Sequence, residues 1–165
     1  MRKSLECLAY AAIAPNKEEY AKFRAGADSR PDYTKDFHAG RILQALKNVN
    51  PDFYPKPVSS PVKIGPGKWH FDEREDKSLT KKQFETIYDR IGKFLHADNP
   101  WDHDKGHKNL FDKLPEHINS VRLLLSWHYT AIRSPHFNGV WVLEVPTNGA
   151  KPRVHVGQTE GEFIV

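Results

Sequence analysis

Cysteine is almost absent from this chain: Cys7 is the only one among 165 residues. A lone thiol closes no internal disulfide, so nothing points to an oxidising compartment. Cys7 sits in the apolar run Leu5-Glu6-Cys7-Leu8-Ala9, where a buried, unreactive thiol is expected. Long apolar segments are also missing. The stretch from Leu5 to Ala14, behind Met1-Arg2-Lys3, imitates a signal peptide only superficially: Glu6 interrupts it and Pro15-Asn16-Lys17-Glu18-Glu19 follows at once. It falls short of the roughly 20 apolar residues that a membrane span needs. A cytoplasmic protein without membrane contact is therefore expected. The chain has no internal repeat and no low-complexity tract. It also lacks a nucleophile elbow and a phosphate-cradling glycine loop, since Gly65-Pro66-Gly67-Lys68 has neither the spacing nor the helix that such a loop requires.

What is present fits one domain spanning residues 1–165. A chain of this size buries about two-thirds of its unfolded surface. Its 12% aromatic content supplies large units for a core. The formal charge of +4, with nine histidines uncounted, permits a polyanionic partner such as RNA.

Helical spacing is evident over 4–14 and 16–25, broken at Pro15, with Tyr20 and Phe23 forming a short apolar edge. Residues 35–48 form a third candidate helix, with Phe37, Ile42, Leu43, Ala45 and Leu46 on its apolar side. Pro51, Pro55, Pro57, Pro61 and Pro66 make 50–68 an irregular connector, within which Val62 to Ile64 fit an edge strand. The strongest helix covers 81–97. Thr80 and Gln83 form a capping box at its start, and Phe84, Ile87, Tyr88, Ile91, Phe94 and Leu95 make one apolar stripe. A stop is expected near Asp98-Asn99-Pro100. A polar loop follows to Leu114, with a single turn around 107–113. Pro115 then opens a helix to about Ile132, with Ile118, Val121, Leu124, Leu125 and Tyr129 inside. Residues 140–145 and 153–156 read as a hairpin around Pro146-Thr147-Asn148-Gly149, and 162–165 as a third short strand. The expected fold class is α+β: mainly an α-helical bundle over about 1–133, with a C-terminal antiparallel β-hairpin over about 137–165.

Chemistry concentrates between Arg90 and His107. His96, His103 and His107 fall with Asp98, Asp102 and Asp104 inside twelve residues. Histidine titrates near neutral pH and serves as acid, base or metal ligand. Three readings compete for this loop. It can bind a metal through His96, Asp98, His103 and His107, although the spacing follows no zinc pattern. It can be structural, with His96 capping the helix and Asn99-Pro100 making a turn. It can be catalytic, with Arg90 as the electrophilic partner.

Arg90-Ile91-Gly92-Lys93-Phe94-Leu95-His96 resembles the signature of the HEPN superfamily, an arginine followed after four to six residues by a histidine. The resemblance implies a helical, metal-independent endoribonuclease or RNA-binding protein of the toxin–antitoxin or antiviral-defence kind. It implies a homodimer whose site forms where two protomers meet, and an antitoxin or another system component as a protein partner. Arg90 and His96 take the catalytic places. Lys93, Asn99, Trp101, His103 and His107 are the candidate RNA-contacting residues, and no metal or other cofactor is expected. Ile91 departs from the polar residue that usually follows the arginine. In one straight helix Arg90 and His96 stand about 9 Å apart along the axis and about 120° apart in direction. They share a phosphate only if the helix ends early or a second protomer supplies the partner. The same spacing recurs at Arg122 and His128, where the apolar filling suggests a core helix. A non-catalytic interaction module offering an edge strand is the alternative, and a metal-dependent hydrolase built on 96–107 is the second.

Overall fold

The computed structural model describes residues 1–27, 32–95 and 107–158, apart from the side chains of Leu95, His107, Lys108 and Gln158. Helix α1, Arg2–Ile13, buries Leu5, Leu8, Ala9 and Ala12, one stripe at helical spacing. Cys7 falls off that stripe and is exposed rather than buried. Pro15 sits in a single 3₁₀ turn, Ala14–Asn16, leading into α2, Lys17–Ala25. Only Tyr20 of the expected α2 edge is buried, while Phe23 is exposed. Helix α3, Ala39–Val49, starts later than its sequence pattern suggests. His38, in extended backbone, is its N-cap, and its ring nitrogen accepts the Arg41 N–H at 3.4 Å. Phe37 is thereby left outside the helix and 65% exposed.

Helix α4, Lys81–Leu95, carries the expected capping box. The Thr80 N–H donates to Gln83 Oε1 at 2.9 Å, and the Gln83 N–H to Thr80 Oγ1 at 3.2 Å. Phe84, Ile87, Tyr88 and Ile91 are buried. Helix α5, His107–Ser126, differs more from expectation. Pro115 lies inside it rather than at its start, so the presumed loop before Pro115 supplies two turns of helix. Leu110, Val121 and Leu124 are buried, while Ile118, expected inside, is 45% exposed. The inner edge of α5 therefore runs through buried Leu110, Val121 and Leu124, with half-buried Leu114 and His117 between them, at spacings of three and four.

The expected helical bundle is overturned at Ser126. The chain passes from α5 directly into a strand, β4, Trp127–Ser134, without a loop. Tyr129 and Ile132 thus belong to a sheet. About half of the chain is helical; the rest includes a four-stranded antiparallel sheet and a separate two-stranded ribbon, so the fold is mixed. Counting from the N-terminus, the strands are β1, Lys56–Pro57; β2, Val62–Gly65; β3, Lys68–His70; β4; β5, Phe137–Glu144; and β6, Arg153–Gln158. The main sheet has the order β1-β4-β5-β6, and β2 pairs only with β3. β4 and β5 are joined by Pro135-His136 and pair from Trp127↔Glu144 to Ser134↔Phe137. The expected hairpin of 140–145 with 153–156 is present as β5 and β6, from Gly139↔Gln158 to Glu144↔Arg153. The proposed third strand at 162–165 lies outside the described residues.

Two apolar clusters result. The larger joins α1, α3, α4 and α5 with Tyr20, Phe53 and Leu79. The smaller lies on one face of the sheet, around Val58, Tyr129, Ala131, Val140 and Val142. A buried amide network stitches helices to sheet. Asn50 Nδ2 donates to Asn16 Oδ1 at 2.9 Å and to the Ala131 carbonyl at 2.8 Å, and Asn16 Nδ2 donates to the Ala12 carbonyl at 3.1 Å. β1 covers β4 only at His128 and Tyr129. Asn50 satisfies the carbonyl of β4 just beyond that point, where a sheet edge would otherwise be buried without a partner. No helix among the described residues is long and apolar enough to cross a membrane.

Candidate functional site

Helices α4 and α5 run antiparallel. At the start of α4 the Leu79 N–H donates to the Ser120 carbonyl at 3.0 Å. At its end Phe94 meets Phe111 edge-on, with ring centroids 5.4 Å apart. This pairing sets Arg90 opposite the middle of α5, where His117 lies on the inner edge of the helix. Arg90 and Lys93 are both exposed on α4. Arg90 and Lys113 are close enough to His117 to oppose its protonation. Its pKa is lowered, first by partial burial and then by Lys113 and Arg90, against the opposing pull of Glu116. Lys113 lies one turn before His117 on the same side of α5.

The arrangement has chemical content. A histidine held neutral at neutral pH accepts a proton. A neighbouring guanidinium keeps its charge and presents a fork of donors to a phosphate. Glu116 and the two cations give a face on which anionic and protic groups can both be bound.

Of the residues singled out from sequence, Arg90 belongs to this face, and Lys93 follows it on the same helix. His96, Asn99, Trp101 and His103, and the three aspartates of the same loop, lie outside the described residues. His107 opens α5, but its side chain is not among those described. The second arginine–histidine pair is divided by the end of α5. Arg122 is exposed on the helix, while His128 is buried in β4 with its Nδ1 against the Leu125 carbonyl at 3.3 Å. Burial drives the His128 pKa down to about 4. Among the described residues no group of metal-ligating side chains gathers to hold an ion.

A helix start at Pro115, the reading its sequence favours, puts Lys113 outside the helix and His117 in its first turn, so the sequence pattern alone does not single out His117. The usable signal was the spacing Leu110, Leu114, His117, Val121, Leu124 running straight through the proline.

A second surface feature lies in the proline-rich connector, where the edge strand expected at Val62 to Ile64 is present as β2 and pairs with β3. The ribbon β2–β3 turns at Pro66-Gly67, where Gly67 has φ +67°, a left-handed conformation suited to glycine. Lys63 faces Trp69 across the ribbon, and Val62 faces His70. Val62, Ile64 and Trp69 are all exposed, Trp69 at 56%. Lys63 and Lys68 are the ribbon's lysines, while His70 at its end lies 3.1 Å from Asp72, and Lys56, in β1 of the main sheet, lies 3.7 Å from Glu73. A positive, aromatic ribbon on the surface suits single-stranded nucleic acid, in which bases stack on rings and phosphates meet cations.

The chain matches no family model, no curated protein and no solved structure.

Proposed function

We propose that this protein binds single-stranded RNA and cleaves it without a metal, using Arg90 and His117. The observation that carries the reading is the antiparallel run of α4, which carries Arg90, beside α5, where half-buried His117 has its pKa lowered first by burial and also by Lys113 and Arg90. His117 takes the proton of a ribose 2′-hydroxyl as that oxygen attacks the adjacent phosphorus. Arg90 holds the phosphate and the charge that builds on its oxygens, and Lys113 adds a second cation. The bond to the 5′-oxygen breaks, and that oxygen receives the proton. The products are a 2′,3′-cyclic phosphate and a 5′-hydroxyl. The β2–β3 ribbon gives the strand a place to lie. The HEPN resemblance supports the same chemistry and adds His96 as an alternative base in a dimeric site.

The test is incubation of the protein with a mixed RNA pool, with and without EDTA, beside Arg90→Ala, His96→Ala and His117→Ala. Cleavage that persists in EDTA and is lost in Arg90→Ala and His117→Ala is the expected result. Loss in Arg90→Ala and His96→Ala, with His117→Ala active, returns the site to the linear motif. If folded wild-type protein leaves RNA intact, the catalytic reading fails.

A second reading rests on β6. Among the described residues this strand lies at the end of the sheet order and exposes Val154 and Val156. An apolar edge strand suits pairing with a strand of another protein, which fits a non-catalytic interaction module, such as the defence-system component that the resemblance implies.

A further inference from the structure

The dipeptide Asn-Gly occurs twice in this chain, at Asn138-Gly139 and at Asn148-Gly149. The two are chemically alike. A glycine has no side chain to shield its own nitrogen, so that nitrogen can approach the side-chain amide carbon of the asparagine before it, provided the backbone is free to turn. The fold treats the two copies in opposite ways.

Asn138-Gly139 lies within β5, an inner strand of the main sheet. Asn138 pairs with Arg133, and Gly139 pairs with Ile132 of β4 and with Gln158 of β6. Gly139 is buried, and a Cβ built on it would collide with the Gly157 carbonyl oxygen. The ladder on both sides fixes the backbone angles that ring closure has to change. Burial also keeps solvent base from the Gly139 nitrogen.

Asn148-Gly149 lies in the turn between β5 and β6. The last pair before that turn is Glu144↔Arg153, which leaves 146–152 outside the ladder. Both residues are exposed. Gly149 has φ +80°, and nothing stands within 4 Å of the place a Cβ would take. The Ala150 N–H donates to Asn148 Oδ1 at 3.1 Å. That bond folds the side chain over the Gly149 peptide, as asparagine does in turns, and so keeps the amide carbon beside the Gly149 nitrogen. It also sets a donor on the oxygen where negative charge builds as the nitrogen adds to that carbon.

We propose that Asn148 converts itself to aspartate and isoaspartate in the folded protein, while Asn138 is protected. Solvent base removes the Gly149 N–H proton, and the nitrogen forms a bond to Asn148 Cγ. The bond from Cγ to the side-chain nitrogen breaks, and ammonia leaves after taking a proton from water. Water then opens the resulting succinimide. Attack at the side-chain carbonyl gives aspartate, and attack at the backbone carbonyl gives isoaspartate, in which the chain runs through Cγ. One water is consumed, one ammonia is released, and nothing is oxidised or reduced. The formal charge of +4 falls by one. In isoaspartate the backbone of the turn that leads into β6 also gains one carbon. The conversion is independent of RNA cleavage and stands without it.

The experiment keeps the full chain in warm, mildly alkaline buffer, with and without urea. Fragment-ion mass spectrometry of the digested chain then locates each exchange of amide for carboxyl and separates aspartate from isoaspartate. In the folded chain Asn148 should convert at least about a hundredfold faster than Asn138, because an inner strand opens only rarely. In urea the two should convert at similar rates. Asn148→Gln, an exposed substitution that removes no core, should abolish the signal at that position, since glutamine must close a larger ring. The proposal is overturned if Asn148 stays intact in the folded chain over the time in which it converts in urea. It is equally overturned if folded Asn138 keeps pace with Asn148, or if aspartate forms without isoaspartate, which would mean direct hydrolysis with no ring.

Discussion

Replacing Asn50 by alanine tests how the helical and sheet layers are joined. Asn50 is 0% exposed, and its amide nitrogen serves two acceptors, Asn16 Oδ1 and the Ala131 carbonyl. Asn16 is itself buried. Alanine removes both donors and leaves both acceptors without water. Each buried polar group stripped of its partner costs about 1–3 kcal/mol. The lost bond from the Asp52 N–H to Asn50 Oδ1 matters less, because Asp52 is partly exposed and can be rehydrated. The sum is about 3 kcal/mol, which for a domain of this size lowers the melting temperature by roughly 6–12 °C. Urea unfolding should give the same loss at an unchanged m-value. Asn50→Asp keeps the acceptor oxygen but donates nothing and buries a charge, so it should do at least as badly. A melting temperature for Asn50→Ala within a degree or two of wild type would refute the reasoning and mean that water or a relaxed backbone serves the Ala131 carbonyl.

Two further predictions concern titration and RNA. His128 has its pKa lowered by burial from 6.5 to about 4, so the fold favours the neutral ring. Stability from this group is complete above pH 6.5, declines as the pH falls, and levels off near pH 4, a total loss of about 3 kcal/mol. Urea melts across that range should show a slope that His128→Leu flattens; equal slopes in the two proteins would reject it. On the ribbon, Trp69→Ala should weaken single-stranded RNA binding by about 1–3 kcal/mol. Replacing Lys63 and Lys68 together by alanine should reduce the salt slope of binding by about 1.4. Unaltered affinity and slope in filter-binding assays would remove the ribbon from the interface.

The amino-terminal helices were legible because single stripes of apolar residues define them, and the capping box marks the start of α4 directly. The C-terminal part of the bundle was not. Leu125 and Tyr129 keep helical spacing past the real end of α5. Burial of His128 through Ile132 without a break gives neither a helical nor a two-residue period, and only the eight-pair register with β5 decides for strand. Hidden period also explains the site. Arg90 could be named from sequence because it begins a local motif. His117, the partner proposed for it, lies far along the chain, and the antiparallel run of α4 beside α5 is encoded by no local pattern. Phe37 and Cys7 show the reverse error, apolar residues assigned to a core whose stripe passes beside them.

The direct passage from α5 into β4 has a mechanical consequence. Arg74 donates to the Leu123 carbonyl and to Ser126 Oγ, and the Val145 N–H donates to the Ser126 carbonyl at 3.1 Å. The junction is thus clamped from both sides, with no slack between helix and strand. Helix α5 is thereby joined directly to an inner strand of the sheet and, through the pairing of β4 with β5 and of β5 with β6, to the β6 rim.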